Sequence, residues 1–139
     1  MADMADMATA TQFDVGELLR SIIISDSKMS SKVGSRVYPG ELPDTTSYEP
    51  NSPDLPAIHY SLVDDIEADA APISRSSWQL TVVASTQSEL QSTCGALKEL
   101  LHRYKKDRIR YIEYVNSSTE WDTEVKTPYS PMTFRVTFY

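Results

Sequence analysis

The chain has 139 residues, 40% hydrophobic and 24% charged, with a formal net charge of −7. One domain fits that length, the balance excludes a disordered chain, and no apolar run approaches the ~20 residues that cross a bilayer. An acidic total argues against nucleic-acid binding through the overall field, and the single cysteine, Cys94, excludes an internal disulfide and fits a reducing compartment.

Taken in chain order, the opening MADMADMATATQ is polar and acidic, with no apolar core of a secretory signal, and reads as a flexible tail over residues 1–12. A single domain is expected over 13–139. Asp14 and Glu17 have the spacing of a capping box, followed by Val15, Leu18, Leu19, Ile22 and Ile23 on one helical face. This helix is expected to end near Asp26, where Ser-Asp-Ser and then Ser30-Ser31 favour turns. A short strand is predicted over residues 36–38, stopped by Pro39-Gly40. A long loop follows, with Pro43, Pro50, Pro53 and Pro56 removing backbone donors and excluding a central strand. Loops of that length inside a domain tend to be functional or disordered.

Ile58, Tyr60 and Leu62 alternate with His59, Ser61 and Val63, the period of a strand. Asp64, Asp65, Glu67 and Asp69 then read as a solvated acidic turn closing at Pro72. Trp78, Leu80, Val82 and Ala84 predict one face of the next strand, with Ser77, Gln79 and Thr81 opposite. Thr86 and Glu89 form a second capping box, and Leu90, Cys94, Leu97, Leu101 and Tyr104 follow as a helical stripe. A strand is predicted over 108–115, then a polar hairpin through Ser117, Ser118 and Thr119. The last strand carries Met132, Phe134, Val136 and Phe138 against Thr133, Arg135 and Thr137. The expected fold class is α+β: a single antiparallel-rich sheet of four to five strands, two α-helices packed on one face, and a long Pro-rich loop.

No catalytic constellation stands out. His59 and His102 have no partner spaced for a triad or a metal, and Cys94 sits on an apolar stripe where thiols are inert. The carboxylates from Asp64 to Asp69 lack the glycine and distal glutamate of a calcium loop. No catalytic residue, cofactor or metal is expected. Charge is unevenly distributed: residues 1–73 carry 13 acidic and 4 basic side chains, and residues 74–139 carry 7 and 9. Such a split suits head-to-tail contact between copies. Arg103, Lys105, Lys106, Arg108 and Arg110 crowd into eight positions. They admit three readings: cations complementing a helix C-terminus, a nucleic-acid patch, or contact with the acidic half of a neighbouring copy.

Three phrases in order are GSRVYPGELP, LPAIHYSLVDD and SSWQLTVVASTQSELQSTCGALKELL, the last a strand running directly into a helix. Together they resemble the tail completion or tail terminator proteins of long-tailed bacteriophages, over Phe13 to Tyr139. That resemblance implies a non-enzymatic virion protein. It would form a homo-oligomeric ring of six copies at the head-proximal end of the tail tube and end tube polymerisation. Its other partners would be the tail tube protein and a neck or head-completion protein. DNA would pass through the lumen without specific binding, and no membrane is involved. The chain would reside in the virion tail, and in the host cytoplasm during assembly. Subunit-interface candidates are Tyr38, Pro39, Tyr48, Pro50 and Pro53 of the loop together with the five cations from Arg103 to Arg110. Asp64, Asp65, Glu67 and Asp69 are candidates for a lumen or acidic surface. Two alternatives stand beside this reading: another neck ring protein, such as a head-completion adaptor, and a small nucleic-acid-binding α+β module.

Overall fold

Val15, Leu19 and Ile23 are all buried in helix α1, Met4–Ser25, as their helical spacing requires. The computed structural model describes residues 4–67, 74–106 and 108–138. Helix α1 starts well before the N-cap expected at Asp14, and residues expected in the tail are helical from Met4 on. Met and Ala are strong helix formers, and that propensity carries the helix through a stretch whose polarity suggested a tail.

The helix does end where expected, at Ser25, but no turn-rich linker follows. Asp26 instead caps a second helix, α2, Ser27–Val33, its carboxylate accepting from the Met29 N–H at 3.0 Å. The Ser-rich stretch is held helical by burial of Met29 and Val33, a tertiary contribution that local propensity does not contain. Gly34 closes α2 at φ +59, its N–H donating to the Ser30 carbonyl at 2.9 Å.

Strands β1 (Val37–Pro39), β2 (Ala57–Glu67), β3 (Ser74–Val83), β4 (Ile109–Ser117), β5 (Glu120–Asp122) and β6 (Thr127–Phe138) form one sheet. Its order is β1-β2-β3-β6-β4, with β5 paired to β6. Only β1 lies parallel to its neighbour, β2; the other pairings are antiparallel. Helix α3, Gln87–Leu101, joins β3 to β4. The fold is α+β, with six strands and three helices among the described residues in place of four to five and two. The extra elements, α2 and β5, are short pieces defined by long-range pairing and burial.

Alternation on β3 and β6 divides the sheet cleanly. Trp78, Leu80, Val82, Met132, Phe134, Val136 and Phe138 face the helices and share one core with Leu19, Ile23, Leu90, Leu97 and Leu101. Thr86 caps α3, accepting from the Glu89 N–H at 3.1 Å, while Glu89 Oε1 accepts from the Ser85 N–H at 2.9 Å. The reciprocal bond of this box therefore reaches one residue further back than the cap itself. No helix among the described residues is long and apolar enough to cross a membrane.

The opposite face is covered by the proline-rich loop. Leu42, Leu55, Ala57 and Val83 form a second buried cluster, with Tyr38, Tyr48 and Tyr129 packed against it. The proline-rich loop thus has a small core of its own. Local bonds hold it in place: Asp54 Oδ2 accepts from the Ser47 N–H at 2.8 Å, and the Thr46 N–H reaches the Pro43 carbonyl at 3.0 Å. At its start, Gly40 takes φ +83 and donates its N–H to the Tyr60 carbonyl at 2.8 Å. Arg36 ties three segments together, its Nε donating to the Pro56 carbonyl at 3.1 Å and its Nη2 to the Lys32 carbonyl at 3.0 Å.

The acidic turn expected from Asp64 is a strand as far as Glu67. Past a register shift between Leu62 and Asp64, Asp64 pairs with Ser77, Asp65 with Ser76, Ile66 with Arg75 and Glu67 with Ser74. Cross-strand pairing overrides the turn preference of aspartate here. Asp69 and Pro72 lie outside the described residues.

Candidate assembly surface

The side chains able to do chemistry on a partner gather at two opposite ends of the sheet. One end carries the basic segment that follows α3. His102 ends the helix, and its Nδ1 accepts from the Tyr114 N–H at 3.1 Å. The chain then folds back on itself. Arg103 takes φ +69 and donates its N–H to the Ile112 carbonyl at 2.8 Å, and Lys106 and Ile109 exchange backbone hydrogen bonds at 3.0 and 3.1 Å. Arg103, Lys105, Lys106, Arg108 and Arg110 are all exposed on this hairpin. The structure thus brings these five candidates together around one hydrogen-bonded turn. The cation in the last turn of α3 is Lys98, so all five cations of the cluster lie beyond the helix end they were suggested to complement. Lys98 itself lies over the Tyr114 ring, 4.2 Å from its centre.

The other end carries a groove of about 730 Å³ between the proline-rich loop and the turn from β5 to β6. Glu41 and Asp44 line it from the loop, and Glu120 and Asp122 from β5, with no lysine or arginine among its lining residues. Its floor is the loop-facing side of the sheet: His59, Gln79, Thr81, Thr127 and Tyr129. Asp122 is fixed in place, its Oδ1 accepting from the Glu124 N–H at 2.9 Å and the Val125 N–H at 3.3 Å. Burial raises the Tyr48 phenol above its usual range, and the Asp122 and Glu41 carboxylates raise it further. Two carboxylates far apart in sequence therefore converge on one ring.

One buried side-chain hydroxyl beside this groove has no hydrogen-bond partner among the described residues. Thr127 is 1% exposed, and its hydroxyl makes no hydrogen bond. Ser85 Oγ, lining the adjoining groove with Glu49, Glu124 and Lys126, is in the same condition.

The loop candidates separate into two groups. Tyr38 and Tyr48 are half-buried against the second cluster, whereas Pro39, Pro50 and Pro53 are exposed. Asp64 is exposed on β2, at the same end of the sheet as the basic hairpin, with β3 and β6 lying between them. Asp65 and Glu67 follow it in the same strand.

Among the described residues, no side chain hydrogen-bonds to either histidine as a catalytic partner would. His59 is half-buried, and burial lowers its pKa, offset in part by a hydrogen bond with the Gly40 backbone and by the Glu41 carboxylate. Burial pushes the Cys94 thiol up, offset in part by a hydrogen bond with Ser130. Among the described residues, no three His, Cys, Asp or Glu side chains group closely enough to hold a metal ion.

The sequence reading missed Glu41, Asp44, Glu120 and Asp122 as a group, and missed Trp121. This indole is 54% exposed on β5, between the two groove carboxylates in sequence and, by strand alternation, on the other side. The only local signal was Glu-Trp-Asp directly after the polar hairpin expected through Ser117, Ser118 and Thr119.

No protein-family model matches the chain, and no curated protein matches it. The fold is similar to that of a solved chain described as "Virion of native gene transfer agent (GTA) particle", with a TM-score of 0.64 and 12% sequence identity. The likeness covers 86% of this chain and 90% of that one, so it extends over nearly the whole fold.

Proposed function

We propose that this chain is a structural, non-enzymatic virion protein of a tailed phage or phage-like particle. In finer terms, it is a tail terminator: a ring of copies at the head-proximal end of the tail tube that stops polymerisation and presents a surface to the neck. The observation that carries this reading is the near-complete fold likeness to a chain of a gene transfer agent virion. It agrees with the family resemblance of the GSRVYPGELP, LPAIHYSLVDD and SSWQL phrases, which was drawn from the residues alone.

The structure gives those phrases physical roles consistent with a shared fold. Gly34 opens the first phrase and Gly40 is its seventh residue, both at positive φ, and Arg36 between them bonds to α2 and to Pro56 just before β2. In the second phrase Leu55 and Ala57 pack under the loop, while Ile58 and Tyr60 enter the main core. These are structural duties, which suits a protein that acts by shape and contact.

A surface of net charge −7 also suits a channel that lets DNA pass without retaining it. The rival nucleic-acid module would rely on the basic hairpin alone. The test is to assemble particles with this chain omitted. Tail tubes of uncontrolled length that fail to join heads are expected. Tails of normal length joined to heads would overturn the proposal.

A further inference from the structure

We infer that the acidic groove of one copy receives the basic hairpin of the next, and that this contact joins copies head to tail. The inference rests on the ring-forming reading above and names the surfaces that would build the ring.

The groove lies where β6 begins, at Thr127 and Tyr129, and the basic hairpin enters β4 at Ile109, which pairs with Phe138 at the end of β6. The groove's lining reaches along the sheet as far as Gln79, which pairs with Thr133, and the stretch of β6 from there to Phe138 separates it from the hairpin by roughly 17 Å at about 3.3 Å per residue. A copy therefore cannot fill its own groove with its own hairpin. A contact between two different surfaces of identical chains is heterologous, and such contacts close into rings or run on as filaments.

Charge is the second support. The groove presents Glu41, Asp44, Glu120 and Asp122 and no basic side chain among its lining residues. His59 in its floor is held toward the neutral form by burial. The hairpin presents five exposed cations, and its backbone bonds to itself between Lys106 and Ile109 and to Ile112 through Arg103. Complementary charge of this kind sets register and speeds encounter.

Zero-length carbodiimide coupling tests the contact, because it joins an amine only to a carboxylate that it touches. Equal amounts of isotopically light and heavy full-length chain are mixed at high concentration and coupled. Mixed light–heavy peptides linking Lys105 or Lys106 to Glu41, Asp44, Glu120 or Asp122 are expected. The variant pair K105E/K106E and E120K/D122K sharpens the test. Each alone should lose about tenfold or more of the inter-copy association, since like charges then meet. Mixed together they should recover it, each presenting the complement of the other. Mixed peptides that map elsewhere, or association indifferent to both reversals, overturn the contact. If such variants still form normal rings in particles, the ring reading stands and only this interface falls. If the chain is absent from particles while the cross-links map as expected, the ring reading falls and the contact stands.

Discussion

Gly16 in α1 lies directly on the indole of Trp78 in β3: a Cβ built on this glycine would stand 3.1 Å from Cη2 and 3.2 Å from Cζ3. The Tyr60 ring would be 3.2 Å away on the same side. The helix approaches the sheet this closely because the position has no side chain.

A branched side chain at Gly16 has to push the helix from Trp78 and Tyr60. Gly16→Val is expected to destabilise the fold by about 1–3 kcal/mol through overpacking. Gly95 in α3 gives the opposite case, since nothing lies within 4 Å of its built Cβ. Gly95→Ala is expected to stabilise by about 0.5–1 kcal/mol through helix propensity and a less flexible unfolded chain. Urea unfolding of both variants measures the two signs, and equal signs would contradict the packing described.

The proline-rich loop is expected to contribute to stability through its own small core. Leu42 and Leu55 are 9% and 5% exposed and pack with Ala57 and Val83. Leu42→Ala should cost about 2 kcal/mol, near the lower end for truncating a buried leucine because the cluster is small. Removing residues 42–53 would also take Tyr48 and uncover Val83, so that deletion should melt earlier than the intact chain. Thermal melts decide it: unchanged stability in both variants would make the loop a passive spacer.

His59 is held below the ordinary histidine range mainly by burial. The unfolded chain therefore takes up a proton first as pH falls below about 6.5. Stability is expected to decline from there down through the lower folded-state pKa, and this component should be missing in His59→Gln. Denaturant unfolding of the two proteins between pH 7.5 and 5 tests it. Identical pH slopes would show that His59 is no more buried in the folded chain than in the unfolded one.

Cys94 should react slowly with thiol reagents. Burial keeps its thiol protonated, and the thiolate is the reactive form. Alkylation at pH 8 is expected to be slow for the folded protein and fast in denaturant; equal rates would contradict the placement of Cys94 against the core.

The main core was legible because it is periodic. Met132, Phe134, Val136 and Phe138 alternate without interruption, and all four are buried on the helix side. The stripe of α3 was equally plain in Leu90, Leu97 and Leu101. What escaped depends on partners distant in sequence. α2 is Ser-rich and owes its place to Met29 and Val33 entering the core. The acidic strand end of β2 took its conformation from residues 74–77 across the sheet, against the local preference of Asp64 and Asp65. Leu42 looked isolated among prolines because its neighbours, Ala57 and Val83, come from other strands.

The same reason hid the groove. Glu41 and Asp44 belong to one segment and Glu120 and Asp122 to another, and only the sheet brings them to one cavity. The basic hairpin was visible because its cations are contiguous in sequence. Local clusters can be read directly, whereas surfaces assembled across a sheet need the topology first.

Electron cryo-microscopy of intact particles, with this chain located in the density, tests the central claim most directly. The account predicts a ring of six copies at the head-proximal end of the tail tube, with the groove of each copy facing the basic hairpin of the next. Particles complete in head and tail that contain no density for this chain would contradict it.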